Sequence, residues 1–439
     1  HYTGEAHRLH PEAMRMRSRF GVAADWPVTY GELEPFYLEA ERVVGVAGPS
    51  ADHHRPRSAP YPLPPHQPSF ASQRLGQGFG KIGCSWTPNP LAALTRPYDG
   101  RPACNFCGGC LRGCSHRDKG SVDLTFLAKA RGSGRCEIRT GQQVVALEAG
   151  TGDRVRGVRV VDGAGREQFV PARVVVVACG AIETPRLLLN SIGPGGESGL
   201  GNESGALGRH LTETLTWVST GLHPDNLGSH RGHPVDSICW DFNRPDAVKG
   251  LPGGCRFGPS TAESDLVGPI NHARRMVGGW GRQHVKKMRE TFGHALSVAG
   301  IGESLPNDGT FVDLDPVRED AFGRPLARIH SRVDPVDIER LGFMREICNA
   351  ALAASGVPEV LEQFSTYDIF SATHVAGTCR MGVKAEDSVV NRDLRSHRWK
   401  NLYVVDASVF PSSGGGESPA LTINALAIRA GRYIASISA

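Results

Sequence analysis

The part of the chain from Tyr367 onwards contains the residues whose types and order are most suited to chemistry. His374 precedes a Gly-Thr turn, and an imidazole can take a hydroxyl proton near neutral pH. An apolar run then ends at Asp406, and a glycine-rich loop leads to Ser418 and Pro419. This order of histidine, strand, glycine loop and helix start indicates a site that wraps round a bound dinucleotide. A purely structural role for a buried histidine is the alternative.

Four of the eleven cysteines lie close together in the sequence. Cys104, Cys107, Cys110 and Cys114 have the spacing C-x2-C-x2-C-x3-C, which is too compact for paired zinc knuckles and closer to iron–sulfur ferredoxins. Ser115 stands where the ferredoxin pattern has proline. The run therefore predicts iron–sulfur ligands, and a loop with neighbouring thiols is the alternative. The odd total argues against complete disulfide pairing.

A β pattern precedes the possible nucleotide site. Residues 143–147, 155–161 and 167–170 predict a meander with polar turns. Residues 173–178 are a continuous apolar run, typical of a strand that is buried on both faces of a parallel sheet. These patterns predict an α/β region in this part of the chain.

The strand at 173–178 leads directly into a helix start. After Gly180 and Ala181, we expect Thr184 to be the N-cap and Pro185 the first helical residue. Such a strand, turn and helix N-terminus can present backbone N–H groups to phosphate or flavin. A G-x-G-x-x-G motif after a predicted strand is missing from the sequence.

Other segments predict a second structural region. Leu33 and the apolar residues after it keep helical spacing as far as Val44, and residues 49–70 predict an irregular loop. Residues 206–365 lack α/β alternation and predict an antiparallel sheet, with a clear helix after Asp334-Pro335.

The C-terminal residues each have a structural alternative. Ser418 and Pro419 predict an N-cap and first helical residue, whose dipole could face a flavin and whose hydroxyl could bind a substrate hydroxyl. Asp406 could lie near the ribityl or phosphate groups of a dinucleotide, or it could cap a turn. Cys379 is interpreted as a packed thiol rather than a nucleophile.

Composition excludes several classes of partner. The formal net charge is +4 over 439 residues, and the cations are scattered, so neither nucleic acid nor an anionic membrane is indicated. Apolar runs stay below the roughly 20 residues that span a bilayer. The length is sufficient for more than one domain.

These motifs together resemble the glucose–methanol–choline (GMC) family of FAD-dependent oxidoreductases over nearly the whole chain. The resemblance is carried by Asp25-Trp-Pro and the helix after it, by residues 180–191, by residues 371–382 and by residues 401–429. The cysteine run is similar to the subgroup of gluconate, sugar, sterol and long-chain alcohol enzymes. The family usually has His or Asn where Ser418 stands, and its catalytic His is expected in that final motif.

The resemblance implies an activity and a set of site residues. An alcohol, sugar, polyol or aldonic acid would be oxidised at a CH–OH group, with hydride passing to flavin N5, His374 as base and Ser418 beside it. A protein or a quinone would accept electrons if the cysteines hold a cluster. The implied FAD contacts are Val144, Gly180, Ala181, Thr184, Asp406, Ala407, Pro419, Ala420 and Leu421.

The resemblance also implies the fold: α/β plus α+β, with a Rossmann-like FAD-binding domain and an antiparallel-sheet substrate domain. The FAD-binding domain is expected from residues 1–30, 118–205 and 366–439, and the substrate domain from residues 31–117 and 206–365. The family's N-terminal strand and glycine-rich loop are missing from the sequence, so we expect an N-terminally truncated chain. The compartment is not predicted. An electron-transfer or scaffold flavoprotein without dehydrogenase chemistry is the alternative function.

Overall fold

A computed structural model of the protein describes residues 3–193, 198–260, 266–368 and 373–438. The described helices are α1 Met16–Phe20, α2 Tyr30–Val44, α3 Phe70–Lys81, α4 Phe126–Gly132, α5 Gly180–Leu189, α6 Pro269–Asn271, α7 Gly281–Thr291, α8 Pro335–Ala354 and α9 Ala420–Ser438. Short 3-10 turns lie at Pro11–Met14, Cys110–Arg112 and Ala407–Val409, and a π-helical turn at His272–Val277.

The described strands are short and mostly antiparallel. They are β1 Thr87–Pro88, β2 Gln142–Ala149, β3 Val155–Asp162, β4 Glu167–Pro171, β5 Val175–Val177, β6 Thr214–Leu222, β7 Ser237–Ile238, β8 Cys255–Pro259, β9 Ala295–Glu303, β10 Phe311–Glu319, β11 Pro325–His330, β12 Val360–Ser365 and β13 Leu402–Val404.

The largest described sheet has the strand order β12-β6-β9-β8 and is antiparallel throughout. Apolar side chains of β6, β8 and β9 on one face pack against α8, with Met344 fully buried between them. The side chains of Thr214, Arg256 and Glu303 belong to the same sheet and are buried as well. The predicted antiparallel sheet and the helix after Asp334 are therefore confirmed.

A second region contains the α/β part of the chain. β2, β3 and β4 form the predicted meander, and β5 pairs with β13 in parallel. The prediction that β5 is buried on both faces is wrong, because Val176 is 49% exposed while its neighbours are buried. The physical reason is that side chains alternate along a strand: Val175 and Val177 face the core, whereas Val176 faces the other side of the sheet and stays exposed.

The long helix α9 lies against α2. α2 begins with a capping box between Thr29 and Glu32 and ends at Gly45, whose φ of 77° is accessible to glycine without strain. The hydroxyl of Tyr37 in α2 shares a hydrogen bond of 2.8 Å with the hydroxyl of Thr422 in α9. This buried contact fixes the first turn of α9 against the body of the protein.

Two predicted helix starts need correction. α5 begins at Gly180, so Thr184 is inside the helix rather than its N-cap, and its hydroxyl accepts a hydrogen bond from the Cys179 N–H at 3.0 Å. α9 begins at Ala420, and the Pro419 carbonyl closes the first turn by accepting from the Ile423 N–H. Pro419 rather than Ser418 therefore has the capping position.

One face of α9 packs on the core of the protein. Leu421, Ala425, Leu426 and Ala430 are buried in the core, whereas Ala427 is exposed. Across the described residues, the helices are all too short or too polar to cross a membrane.

Candidate active site

The centre of the candidate site is a network of buried polar side chains on the N-terminal segment. Glu5 and His7 are separated by one residue, so in extended chain they point the same way. Asn89 joins them: its amide N–H donates to Glu5 at 3.0 Å, and its amide oxygen accepts from His7 Nε2 at 2.7 Å. The other ring nitrogen of His7, Nδ1, accepts from the Ser418 N–H at 3.1 Å. The tautomer of His7 is thereby fixed with its proton on Nε2.

Arg256 adds a positive charge to this network. Its guanidinium donates to Glu5 at 3.0 Å and to the Gly416 carbonyl at 2.8 Å. Burial alone would raise the pKa of the Glu5 carboxyl, but the charge of Arg256 overcomes it and the pKa is lowered to about 2. Burial lowers the pKa of His7 to about 3, so the ring is neutral at ordinary pH. The network therefore combines one buried ion pair with one neutral imidazole.

His374 lies beside the same charges, half-buried, and contacts Thr214 of β6. Its backbone N–H donates to the Thr214 hydroxyl at 3.1 Å, and its Nδ1 lies 3.3 Å from that oxygen. Burial lowers the pKa of His374 to about 4, the charge of Glu5 opposes this, and Arg256 adds to it. The pKa of His374 therefore lies below the near-neutral value of a free imidazole, and the ring is neutral over the physiological range. Ser371 and Ala372, at the start of the predicted signature, lie outside the described residues.

The glycine-rich loop before Ser418 approaches the large sheet so closely that side chains would not fit. A Cβ at Gly416 would lie 2.3 Å from the Ile301 carbonyl oxygen, and the φ of Gly416 is 90°. Next to it, Glu417 is buried and accepts from Arg55 at 2.8 Å and from the His10 N–H at 3.0 Å. Ser418 itself is only 7% exposed. The loop thus holds Ser418 rigidly against the Glu5–His7 network.

The residues predicted to contact a dinucleotide meet around Asp406. One carboxylate oxygen accepts from the Gly180 N–H at 3.0 Å and from the Thr184 hydroxyl at 2.6 Å. The other accepts from the Ser408 N–H at 2.8 Å, which caps the turn that starts at Ala407. Asp406 thus ties the end of β13 to the start of α5 and acts as the turn cap that the sequence left open as an alternative.

The surface beside this junction leaves room for a dinucleotide. Gly180 has a φ of 84°, and a Cβ there would meet no described atom within 4 Å. Ala181 is buried, whereas Val176 and Cys179 before the helix are exposed. Val144 of β2, another predicted contact, is 39% exposed. An apolar surface beside an open glycine fits the ring part of FAD, while the Gly180 N–H is already taken by Asp406.

At the start of α9, Pro419 and Ala420 are half-buried, and Leu421 is fully buried in the core. The first N–H groups of a helix have no partner within the helix. Because the Leu421 side chain is occupied by core packing, its backbone is the part that could contact a flavin. The positive end of this long helix adjoins Ser418.

The cysteine run forms a loop next to the same network. Cys107 is exposed, and Cys104, Cys110 and Cys114 are half-buried. Cys110 Sγ lies 3.7 Å from Nε2 of His233, and a Cβ at Gly4 would lie 3.7 Å from the same nitrogen. Burial raises the pKa of Cys104 to about 12 and that of Cys110 to about 11 when no cation is bound. The imidazole of His233 therefore lies between the cysteine run and the N-terminal segment that contains Glu5.

Comparison with known proteins gives the family. GMC oxidoreductase family models match residues 65–216 and 306–427. The chain is 31% identical to 2-methyl-1,2-propanediol dehydrogenase of Mycolicibacterium austroafricanum, over 99% of this chain and 79% of that protein. It is 27% identical to the gluconate 2-dehydrogenase flavoprotein of Pantoea cypripedii, over 97% and 76%. The crystal structure of pyridoxine 4-oxidase from Mesorbium loti superposes with a TM-score of 0.63 at 21% identity, covering 98% of this chain and 81% of that one.

The chain belongs to the GMC oxidoreductase family. It is a flavoprotein oxidoreductase that acts on CH–OH groups, as predicted, and its relatives include members of the predicted gluconate and sugar dehydrogenase subgroup. The fold is the GMC oxidoreductase fold, as the predicted fold class implies.

The central network was missed by the sequence interpretation. Glu5, His7, Asn89, Arg256 and Thr214 come from four distant parts of the chain. The one available signal was the alternation of Glu5 and His7, which placed two ionisable groups on one side of an extended segment.

Proposed function

We propose that His374 is the base of an FAD-dependent oxidation of an alcohol or sugar CH–OH group. In support of this role, His374 is neutral and lies next to Glu5, Arg256 and the loop that contains Ser418. A base must be unprotonated before the reaction and must tolerate a proton afterwards. The lowered pKa meets the first need, and the nearby Glu5 carboxylate meets the second.

Thr214 would orient the His374 ring. If Nδ1 carries the proton and donates to the Thr214 hydroxyl, Nε2 has a free lone pair for the substrate hydroxyl. The backbone N–H of His374 holds the same hydroxyl from the other side. Ser418 is proposed to hydrogen-bond the substrate hydroxyl. The Ser418 hydroxyl cannot act as an acid or a base at ordinary pH. His374 alone would therefore accept the proton of the substrate hydroxyl.

FAD is proposed to lie along the surface from Val144 and Val176 past Gly180 to the start of α9. When bound, it accepts the hydride that leaves the substrate carbon. Asp406 and Ala407 would support the bound FAD indirectly, because the Asp406 carboxylate holds the end of β13 against the start of α5. Pro419, Ala420 and Leu421 would offer the positive end of α9. The division into FAD-binding and substrate regions predicted from the sequence is retained as part of the proposal.

Small-molecule alcohols, diols and sugar acids are the proposed substrates, because the relatives are named for a propanediol and for gluconate. His374 and Ser418 offer polar groups that suit hydroxylated molecules. The test is anaerobic flavin bleaching by a panel of diols, sugars and aldonic acids. In His374→Asn we expect the rate of bleaching to fall by about 10²–10⁴. A variant that bleaches as fast as the parent protein would refute the assignment.

Cys104, Cys107, Cys110 and Cys114 are proposed to hold an iron–sulfur cluster. The compact spacing and the glycines at positive φ between the thiols, Gly108 at 70° and Gly113 at 94°, support a loop that can fold round a ligand. The Phe106 N–H already points to Cys104 Sγ at 3.4 Å, as N–H groups do around cluster sulfurs. Electrons would then pass to a protein or quinone acceptor. Iron and acid-labile sulfide, assayed after anaerobic purification, must both be found for this proposal to stand.

A scaffold or electron-transfer role is the competing function. It is favoured by Ser418, which stands where the family usually has His or Asn. A flavin spectrum that is indifferent to the whole panel of alcohols would support it.

A further inference from the structure

A second group of potential ligands lies outside the network of Glu5 and His374. Across the described residues, the one set of at least three His, Cys, Asp or Glu ligand atoms that all lie within 4.8 Å of one another belongs to Cys84, Cys239 and Asp241. We propose that these three residues form a binding site for a thiophilic divalent cation of the zinc class. This proposal does not depend on the cysteine run or on the flavin chemistry.

Strand pairing brings the three residues together. β1 pairs with β7 so that Thr87 faces Ile238. When this antiparallel register is continued beyond the ends of β1 and β7, Cys84 lies opposite Asp241, and Cys239 lies next to them. Cys239 is held by two backbone hydrogen bonds with Phe257, at 2.8 and 3.1 Å, so it provides a rigid side of the site.

The spacing suits a tetrahedral ion after small side-chain adjustments. With zinc–sulfur distances of about 2.3 Å, the ligand atoms of a tetrahedral site are about 3.7 Å apart. Two thiols with a single carboxylate favour zinc over calcium or magnesium, which prefer all-oxygen sites. Water would complete the coordination, because Asp241 is exposed and Cys84 is half-buried while Cys239 is buried.

The carboxylate of Asp241 is oriented by its neighbour across the ribbon. It accepts from the Ser85 N–H at 2.6 Å and also from the Ser85 hydroxyl. Hydrogen bonds of this kind commonly fix the ligands of a metal from outside.

The site is connected to the candidate active site through Trp240, which lies between two of the ligands in the sequence. The Trp240 ring packs edge-on against His7 at 4.9 Å and under the Arg55 guanidinium at 4.6 Å. A metal bound by Cys239 and Asp241 would hold Trp240 from both sides. The metal would thus fix the position of Trp240, on which the His7 ring packs. His7 in turn accepts a hydrogen bond from the Ser418 N–H.

The test is zinc binding to the purified full chain. We expect a bound zinc whose X-ray absorption spectrum shows two sulfur ligands. Cys84→Ser should leave one sulfur ligand, and Asp241→Asn should keep both sulfurs. Each change removes a direct ligand and should weaken binding by at least about tenfold, the lower bound for loss of an outer-shell partner. Cys348→Ser is the matched control, because this buried thiol belongs to the same core cluster but not to the site. It should leave affinity and spectrum unchanged.

Three results would overturn the proposal. Zinc affinity that is the same in Cys84→Ser and Asp241→Asn as in the parent would exclude the site. Zinc held by four sulfurs and lost in Cys107→Ser would assign it to the cysteine run instead. A disulfide between Cys84 and Cys239, seen by peptide mass after alkylation without reduction, would show that the two thiols serve as a covalent link. Cys84 and Asp241 are not fully buried, so their variants are expected to fold.

Discussion

The buried carboxyl group of Glu303 gives the sharpest prediction about stability. Glu303 is fully buried at the end of β9, and one oxygen accepts from the Gly414 N–H at 3.1 Å. The other oxygen has no hydrogen-bond partner among the described residues, and neither does one oxygen of the neighbouring Glu417. Burial, with a contribution from the charge of Glu417, raises the pKa of Glu303 to about 7, although Arg340 opposes the rise.

A raised carboxyl pKa makes the folded state bind a proton that the unfolded state has lost. Stability from this group is therefore complete below the unfolded pKa of 4.5 and is lost as pH rises to the folded pKa of about 7. At about 1.4 kcal/mol per unit, the expected loss is on the order of 3 kcal/mol. In Glu303→Gln the amide is neutral, keeps an acceptor for Gly414 and can donate to Glu417. The variant should lose this pH dependence and be more stable than the parent at pH 8.

The assay is urea unfolding followed by tryptophan fluorescence, at pH 5 and at pH 8, in parent and variant. The quantity of interest is the difference in free energy of unfolding between the two proteins, which removes the titration of all other groups. Glu339→Gln, an exposed position on α8, is the control and should give a difference near zero at both pH values. If the difference for Glu303→Gln were equal at pH 5 and pH 8, Glu303 would have an ordinary pKa and the reasoning would fail.

Three further predictions concern the network and its supports. Arg256→Met should cost about 3–5 kcal/mol of unfolding free energy, because it leaves Glu5 buried without its cation, whereas Lys286→Met in the exposed pair with Glu290 should cost less than about 1 kcal/mol. Asp406→Ala should destabilise by at least about 2 kcal/mol, since the Gly180 and Ser408 N–H groups lose their acceptor, and a change below 0.5 kcal/mol would contradict this. Gly416→Ala should lower the midpoint of thermal unfolding, because its Cβ would meet the Ile301 carbonyl, while Gly431→Ala in the open interior of α9 should raise it.

Local patterns in the sequence were sufficient for several of the elements. The helix that ends at Val44, the alternating β2–β4 meander and the helix after Asp334 depend on neighbours within a few residues, so they could be predicted without tertiary information. The exact start of α5 could not, because Thr184 and Pro185 are favourable both as a helix start and in the first turns of a helix. The Asp406 carboxylate, 226 residues further along the chain than Gly180, decided it by accepting from the Gly180 N–H.

The family could be recognised from the amino-acid sequence, and so could His374, Asp406 and Ser418 as candidate site residues, because these positions lie in short motifs. The surroundings of these residues depend on tertiary contacts. Glu5, His7 and Arg256 meet there because the N-terminal segment, β8 and the loop before α9 converge, and no local pattern encodes such a convergence. The same burial that assembles the network sets its protonation: it lowers the pKa of His374 to about 4, a value that no neighbouring residue in the sequence could have indicated.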